Sequence, residues 1–494
     1  MEVPDNTGKR NRFTILMVTI ALANFMAALD SSIVTVALPT ISKIFNILPG
    51  TASLVITVYI LVMAGCVLIF GKISDVIGFK RMFLSGFLIF TLGSVVCGFL
   101  PALLNSFSAF VVSRIFQAIG ATMITAIGPG MVAAYIPIEM RGKAMGTIFT
   151  MAALGMAIGP TIGGILTQYL SWSWIFFINI PIGLLAILCG KMVIPETASK
   201  PWKLGFDRLG SVLIFVGLSS LLFVFSKGQA FGWTNPIILG SVVLALLTLG
   251  GFVWYELTVP DPLLEIRLFT RKNFLLTTVL VVLVNFIMAG IMYLVPFYLQ
   301  YVKEHTPSIV GIIYTSLSIG LMIGGILGGV LYHKVGGRTI NIVSWVPIFF
   351  GYLLLSSVQT AMSDWFVVLS LLLIGFGSGS IITSGSNMII NSVSKQYQGM
   401  VSSLINLLRF FPITMGVAFF NIIFMQGIPS TGIRNGGTID SIAGITIPDL
   451  TLGFDHAFLC TFMISIIIVL FAFFARQEVH PDYQQTVRDE SQAL

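Results

Sequence analysis

The sequence predicts an all-α polytopic membrane protein with two six-helix halves and two extra central helices, fourteen transmembrane helices in all. Three observations predict this fold: an apolar composition, apolar runs of membrane-spanning length, and a loop motif that recurs in the second half of the chain. Of the 494 residues, 56% are hydrophobic and only 9% are charged, whereas soluble domains carry about a quarter charged residues. So few charges cannot cover a water-facing surface, and the chain therefore requires a bilayer.

Apolar runs recur along the chain at about 20 residues each, the length that crosses a bilayer as a helix. Charged residues, prolines and glycines separate them. The predicted spans are 13–38, 51–70, 82–102, 107–134, 144–168, 175–194, 208–226, 236–256, 273–296, 308–332, 341–360, 365–388, 399–426 and 453–475.

The spans divide the chain into five segments. We expect a short N-terminal tail, a six-helix half, a linker that contains the two extra spans, a second six-helix half and a C-terminal tail. Their predicted ranges are 1–12, 13–194, 195–272, 273–475 and 476–494.

The distribution of basic residues predicts the orientation in the membrane. Short cytoplasmic loops carry an excess of Lys and Arg, and an even number of spans places both termini on one side. If that side is the cytoplasm, it receives twenty of the 26 Lys and Arg residues. We therefore predict cytoplasmic N- and C-termini. Because the basic residues lie in short clusters between spans, the net charge of +7 does not indicate a nucleic-acid partner.

The loop after the second span of each half has the same spacing of glycine and polar residues. The two sets are separated by a constant offset, which indicates a duplicated chain. Two related halves predict a substrate path at the interface between them. The matched sets are Gly71, Asp75, Gly78 and Lys80, and Gly329, His333, Gly336 and Arg338.

The first of these loops reads Gly71-Lys-Ile-Ser-Asp75-Val-Ile-Gly78-Phe-Lys80-Arg81. Its glycines permit a tight turn, and Asp75 is suited to cap the next helix or to pair with a basic residue. The loop resembles the signature of the major facilitator superfamily, in which it changes conformation during transport. An ordinary basic turn between spans is the alternative. The chain departs from the signature at two usually basic positions, Val76 and Phe79.

The fifth span contains glycines at four-residue intervals. Gly155, Gly159 and Gly163 share one helix face, which permits close approach of another helix. Pro160 removes one backbone hydrogen bond and can kink the helix. The stretch from Gly155 to Gly164 resembles the signature of the drug:proton antiporters of this superfamily, and the resemblance implies a gate here. Ordinary small-residue packing explains the glycines but not the Gly-Pro pair.

Two further stretches narrow the resemblance to the fourteen-span branch of these antiporters. They are residues 28–39 in the first span and residues 172–183 entering the sixth span. The resemblance covers essentially the whole chain. It implies a proton-coupled antiporter of the plasma membrane that works as a monomer and exports lipophilic, often cationic, drugs or dyes by alternating access.

Three alternatives remain open at this stage. A dedicated exporter of one metabolite, lipid or antibiotic is the main one, proton-coupled uptake is the second, and a membrane enzyme or receptor is the third. The sequence contains no Walker motif, no Ser/His/Asp constellation and no metal-ligand spacing. Its four cysteines all lie inside apolar runs. We therefore expect no enzymatic activity, no cofactor and no metal.

One carboxylate, Asp30, lies well within a predicted span. It is about 25 Å along its helix from Phe13, and Arg114, early in the fourth span, lies at a similar depth. Arg114 begins the stretch Arg-Ile-Phe-Gln-Ala-Ile-Gly-Ala, which resembles a family signature associated with proton transfer. Desolvation raises the proton affinity of a carboxylate and a nearby arginine lowers it. Movement of Arg114 would therefore switch proton binding at Asp30, whereas a static ion pair would only fix helix packing.

Another set of residues is a candidate for contact with the cargo. Arg409 lies within the thirteenth span without an acid nearby in sequence. It could line the cavity, snorkel or bond carbonyls near Pro412, and the structural roles are slightly favoured. One face of the ninth span suits an apolar pocket, lipid contact or packing; it carries Asn285, Met288, Met292 and Tyr293.

Overall fold

The computed structural model describes residues 6–136, 138–196, 207–259, 262–356, 363–394, 398–428, 434–435, 438–439 and 447–478. In this part of the chain, fourteen segments are helical, long and apolar enough to cross a membrane. In chain order, their helices are Asn6–Ile44, Pro49–Ala52 with Leu54–Ile77, Phe79–Leu104, Phe107–Ala126 with Gly128–Tyr135, Ile138–Tyr169, Trp174–Phe177 with Asn179–Val193, Arg208–Phe231, Pro236–Glu256, Lys272–Tyr301, Pro307–Val335, Gly337–Ser356, Asp364–Asn391, Gln398–Gly427 and Ile447–Phe474. A 3₁₀ helix, Ile266–Thr270, and an antiparallel strand pair, Arg434–Asn435 with Thr438–Ile439, complete the described elements.

The prediction of an all-α protein with fourteen spans is confirmed, but several helices extend past their predicted ends, and in two of them a proline lies near the predicted end. The first helix contains Pro39 and continues to Ile44. The ninth span contains Pro296 and continues to Tyr301. A proline removes a single backbone hydrogen bond, and that loss does not end a helix whose other turns remain bonded and apolar.

The bundle has two sides, because an even number of spans returns the chain to the side on which it starts. The side of the first residue of the first span is named the terminal side, and the opposite one the far side. In the first half, the first span packs on the fifth and the third on the fourth. In the second half, the tenth packs on the twelfth and the ninth on the thirteenth. Contacts of the fifth span with the tenth, the second with the thirteenth and the first with the ninth join the halves.

The two halves are held together at the far side. Gln300 Nε2 of the ninth span donates to the carbonyl oxygen of Val36 in the first span at 2.9 Å. The backbone N–H of Ser308, at the start of the tenth span, donates to Gln168 Oε1 of the fifth span at 3.2 Å. The far side is therefore closed in this conformation.

The repeated loop has the same backbone geometry in both halves. Gly78 and Gly336 follow the second and the tenth spans with φ of 88° and 80°. This conformation strongly favours glycine, which explains why the motif places one there. The side chains of Asp75 and His333, which the sequence places in the same motif, lie outside the described residues.

The two extra spans pack against each other beside the main bundle. The seventh also contacts the second and the thirteenth, where the Phe215 ring occupies the space above Gly65. In the eighth span, only 17% of an apolar stretch of 18 residues is buried inside the protein. The extra pair thus flanks the interface between the halves without entering it.

Candidate functional site

Asp30 and Arg114 meet in the interior of the first half. The fourth span begins after Ser106, whose Oγ accepts a hydrogen bond from the N–H of Ala109 at 3.3 Å. Arg114 follows about 12 Å further along this helix, at the depth of Asp30. Its Nη1 donates to Asp30 Oδ2 at 3.0 Å, and the two side chains are 1% and 0% exposed. The expected proximity of the two residues is therefore present.

Two amides complete the surroundings of the carboxylate. Gln117 Nε2 and Asn179 Nδ2 donate to Asp30 Oδ1 at 3.0 and 2.8 Å. Gln117 Nε2 also donates to Ser94 Oγ at 2.8 Å. Sequence reasoning assigned no role to Gln117 or Asn179, although both lie in stretches that resemble the family. An amide in an apolar run is a signal for a buried polar contact, but its partner depends on the rotation of the helix.

The Asp30 carboxylate is shielded from water and enclosed by hydrogen-bond donors. Its oxygens accept hydrogen bonds from three N–H groups, one each of Arg114, Gln117 and Asn179. Because the side chain is fully buried, a proton could reach it only after helices move. One buried acceptor, Asn179 Oδ1, has no hydrogen-bond partner among the described residues.

Arg114 has partners besides Asp30. Its Nη1 donates to Gln117 Oε1 at 2.6 Å, and its Nε donates to the carbonyl oxygen of Val55 at 3.3 Å. The guanidinium carbon lies 3.9 Å from the centroid of the Tyr59 ring, which favours a cation. Arg114 therefore has partners that do not depend on Asp30.

The glycine face of the fifth span packs directly on the segment of the first span that carries Asp30. A methyl group on Gly155 would contact the carbonyl oxygen of Phe25, and one on Gly163 would lie 2.6 Å from the carbonyl oxygen of Ile33. Ser32 Oγ donates to the carbonyl oxygen of Gly155 at 3.3 Å. Movement of the fifth span would therefore act on the helix turns on both sides of Asp30.

An adjacent face of the fifth span contacts the second half of the protein. Gly164 packs against the backbone of Pro307, and Pro160 packs against Gly311. The hydroxyls of Thr161 and Thr315 are 2.7 Å apart. The fifth span thus connects the helix of Asp30 to the tenth span, as a gate between the halves requires.

The predicted cargo residues of the ninth span are mostly enclosed. Asn285 and Met288 are buried, and the Tyr293 hydroxyl donates to Asn421 Oδ1 at 2.6 Å. Met292 and Tyr293 line a cleft of about 10 Å³ with residues of the first, second and thirteenth spans. This volume holds about one water molecule. In this conformation Met292 and Tyr293 belong to the closed far side rather than to an open pocket.

Arg409 has a different environment. Its side chain is exposed, and its Nη2 lies 3.5 Å from Met156 Sδ of the fifth span. The centroid of the Phe410 ring is 5.8 Å from its guanidinium carbon. Because Met156 belongs to the other half, Arg409 reaches into the space between the halves.

The loop motif forms an ion pair at the protein surface. Lys80 Nζ lies 3.7 Å from the exposed carboxylate of Glu196, and an exposed pair of this kind is weak.

These features together define a membrane transporter: two helical halves closed on one side, a buried acid–arginine pair and a glycine-packed helix between them. The chain belongs to the Major Facilitator Superfamily, whose family model matches residues 20–417.

Known proteins with related sequences are transporters of more than one kind. The riboflavin transporter RibZ of Clostridioides difficile (strain 630) is 30% identical over 84% of this chain and 89% of its own length. The multidrug transporter protein MdtP of Bacillus subtilis (strain 168) is 29% identical over 83% of this chain and 75% of its own. Multidrug resistance protein Stp of Mycobacterium tuberculosis (strain CDC 1551 / Oshkosh) is 27% identical over 85% of this chain and 78% of its own length.

Solved structures share the fold. A D-xylose-proton symporter matches 94% of this chain and 98% of its own with a TM-score of 0.64 at 12% identity. A bacterial homologue of the human lysosomal transporter Spinster, inward-facing and occupied, matches 94% and 96% with a TM-score of 0.63 at 16% identity. At such identities, the likeness supports the fold alone.

Proposed function

We propose that this protein is a proton-coupled antiporter of the plasma membrane that exports small lipophilic compounds by alternating access. Asp30 carries the proton and Arg114 modulates its release. The observation that carries the proposal is the buried Asp30 carboxylate, which accepts hydrogen bonds from three N–H groups. Asp30 lies on the first span, and the glycine face of the fifth span packs against this helix. The protein works as a monomer with cytoplasmic termini, so the terminal side faces the cytoplasm.

The coupling follows from two states of the Asp30 site. In the present conformation, Arg114, Gln117 and Asn179 hold a charged carboxylate. Opening of the far side separates the fifth span from the tenth and the first from the ninth. The resulting shift of the first span weakens the contacts of Asp30 with the fourth and sixth spans, so Asp30 takes a proton from outside. Return to the present conformation restores the donors and expels the proton toward the cytoplasm. Cargo leaves during the outward-facing part of the cycle.

The loop and the gate have separate roles in this cycle. Gly71, Gly78 and Arg81, with Asp75 and Lys80, form the loop that changes conformation at the terminal side. Gly155, Gly159, Pro160, Gly163 and Gly164 form the gate, because they touch both the helix of Asp30 and the tenth span.

Replacement of Asp30 tests the proton role. Asp30→Asn keeps the size and polarity but fixes the neutral state, so we expect loss of gradient-driven export in proteoliposomes while downhill exchange survives. Asp30→Glu keeps an ionisable group and should retain partial activity. Export is measured per folded protein, with thermal stability in parallel. Full coupled export by Asp30→Asn would remove Asp30 from the mechanism.

A static ion pair predicts a different result for the same variant. Removing one partner of a buried pair costs about 3–5 kcal/mol, so yield and stability would fall together with activity. The other partners of Arg114, Gln117 Oε1 and the Val55 carbonyl oxygen, lead us to expect a smaller loss. Normal stability with lost coupling supports the proton role.

A dedicated exporter is the second candidate function. The relative RibZ is named a riboflavin transporter, whereas MdtP and Stp are named for multidrug transport or resistance. A pump-deficient host that expresses this protein distinguishes the two when it is exposed to unrelated drugs, dyes and antiseptics, with riboflavin export measured in parallel. Protection against several unlike compounds supports multidrug export. Movement of one compound alone supports the dedicated exporter.

A further inference from the structure

Arg409 is a charged residue at a membrane depth where charge is costly. It lies about 16 Å from the start of its helix at Gln398 and about 27 Å from its end at Gly427. Placing an arginine in hydrocarbon is energetically unfavourable. Its exposed side chain therefore requires water or an acceptor.

The position of Met156 shows which space Arg409 faces. The fifth span packs on the first and the tenth, whereas the thirteenth packs on the second, the ninth and the fourteenth. The contact between Arg409 and Met156 therefore joins two helices that are not packing partners, across the interface between the halves. Since the far side is closed, an aqueous path to this space has to come from the terminal side.

Arg409 differs from Arg114 in its partners. Arg114 is bonded to a carboxylate at 3.0 Å. Arg409 forms no salt bridge with any residue that the structure describes. Its neighbours are a thioether, Met156, and an aromatic ring, Phe410. Arg409 is therefore a positive charge between apolar neighbours that faces the space between the halves, without a counter-ion among the described residues.

We infer that Arg409 is an anion-binding subsite of the central cavity, and that the cargo has a carboxylate, sulfonate or phosphate group attached to an apolar body. The guanidinium presents a planar set of donors that matches such groups, and Met156 and Phe410 contact the apolar part. This inference rests on the proposed export function and specifies that the exported cargo is an anion. It differs from the cationic cargo that the family resemblance implied, because a cation would meet Arg409 without a carboxylate to offset it.

Charge-selective labelling of Met156→Cys tests the cavity charge. Two methanethiosulfonates are applied from the terminal side, one with a sulfonatoethyl group and one with a trimethylammonioethyl group. A unit charge about 4 Å away contributes about 1 kcal/mol even in water, with opposite signs for the two reagents. We therefore expect Arg409→Gln to lower the ratio of anionic to cationic labelling rates at least about tenfold, and Arg409→Lys to preserve it. The unsubstituted chain gives the background from its four cysteines.

Two outcomes of this labelling overturn the inference. An unchanged ratio in Arg409→Gln shows that its charge does not act on the cavity. Absence of labelling at Met156→Cys by both reagents shows that the space around Arg409 is not an aqueous cavity.

The cargo class is tested by measuring how well a bound probe protects the cysteine of Met156→Cys from labelling. The probes are anilinonaphthalene sulfonate and N-phenylnaphthylamine, which share a skeleton and differ by one sulfonate group. A hydrogen bond to a charged group contributes about 1.5–3 kcal/mol, so the sulfonate should protect at a concentration lower by about tenfold or more. Arg409→Gln should abolish this difference. Equal protection by both probes, or none by the sulfonate, overturns the anion subsite.

This test does not depend on proton coupling. If Asp30→Asn keeps full coupled export while the sulfonate preference persists, the proposed proton mechanism fails and the anion subsite stands. If Asp30→Asn loses coupling while the preference is missing, only the anion subsite fails.

Discussion

At the residue scale, the Asp30 site shows which buried contacts a sequence reveals. The depth of Asp30 and Arg114 along their helices was enough to predict that they lie close together, because helix geometry converts residue number into distance. The same reasoning could not predict Gln117 and Asn179 as further donors. Their contacts depend on how the fourth and sixth spans are rotated about their axes, which hydropathy does not encode.

Arg409 is a second residue whose surroundings the sequence does not reveal. Its position within the thirteenth span was evident from the sequence, but an arginine in a span can face lipid, protein or a cavity. Only the contact with Met156 of the other half identifies the cavity. The sequence therefore favoured a structural role for a residue that the structure places between the halves.

The amide donors lead to a prediction about coupled export. Gln117→Leu removes one donor to Asp30 Oδ1 and one acceptor for Arg114 Nη1, so the contacts that hold Asp30 and Arg114 together are weakened. A hydrogen bond to a charged group contributes about 1.5–3 kcal/mol, and about 1.4 kcal/mol corresponds to a tenfold change in rate. We expect gradient-driven export per inserted protein to fall about tenfold or more.

Two other variants serve as comparisons. Asn179→Leu removes the second donor to the same oxygen and should also reduce gradient-driven export. Ser94→Ala should reduce it less, since Ser94 Oγ accepts from Gln117 and Asn179 and is not a hydrogen-bond partner of Asp30. Unchanged gradient-driven export by Gln117→Leu would contradict the proposed role of this site.

At the element scale, the fifth span is the connection between the Asp30 site and the second half of the protein. Spacing of its glycines predicted close helix packing, and the structure identifies the neighbours as the first and tenth spans. It also distinguishes the glycines. The atom nearest to a methyl group on Gly155 is the backbone oxygen of Phe25, whereas on Gly159 it is the side-chain hydroxyl of Ser32.

This difference predicts unequal effects of alanine at the two positions. The Ser32 hydroxyl can rotate away, but the Phe25 carbonyl cannot move without displacing the first helix. Gly155→Ala should therefore cost about 1–3 kcal/mol of packing and reduce export per inserted protein several-fold, and Gly159→Ala should have a smaller effect. The leucine side chain of Gly159→Leu is larger than the available space, so its loss of export should equal or exceed that of Gly155→Ala.

Gly250→Ala is the matched control for the gate variants. Gly250 lies in the eighth span with no described atom within 4 Å of an added methyl group, so export should be unchanged. Export rates are compared after correction for membrane insertion. Normal export by a well-inserted Gly155→Ala variant would show that the tight contact with the first span is not a gate.

At the scale of the whole molecule, the number of spans was predictable and the conformation was not. Hydropathy gave fourteen spans because lipid requires each crossing segment to be apolar and helical. Which side of the bundle is closed depends on a few contacts between distant residues, such as Gln300 with Val36. Such contacts hold one state of a transporter, and the same sequence must also form the other state.

The charge moved per transport cycle provides the last prediction. If Asp30 carries one proton inward while one cargo molecule leaves, a monovalent cation moves no net charge, a neutral compound moves one charge, and a monovalent anion moves two. Each charge gains about 2.3 kcal/mol per 100 mV of membrane potential. The anionic cargo inferred from Arg409 should therefore be the most sensitive to voltage, with about 4.6 kcal/mol per 100 mV. Initial export rates of an anionic, a neutral and a cationic compound, at clamped potential and a constant pH gradient, measure the order. Strong voltage dependence for the monocation would show that more protons move than Asp30 alone can carry, and an anion insensitive to potential would exclude one-for-one exchange with a proton.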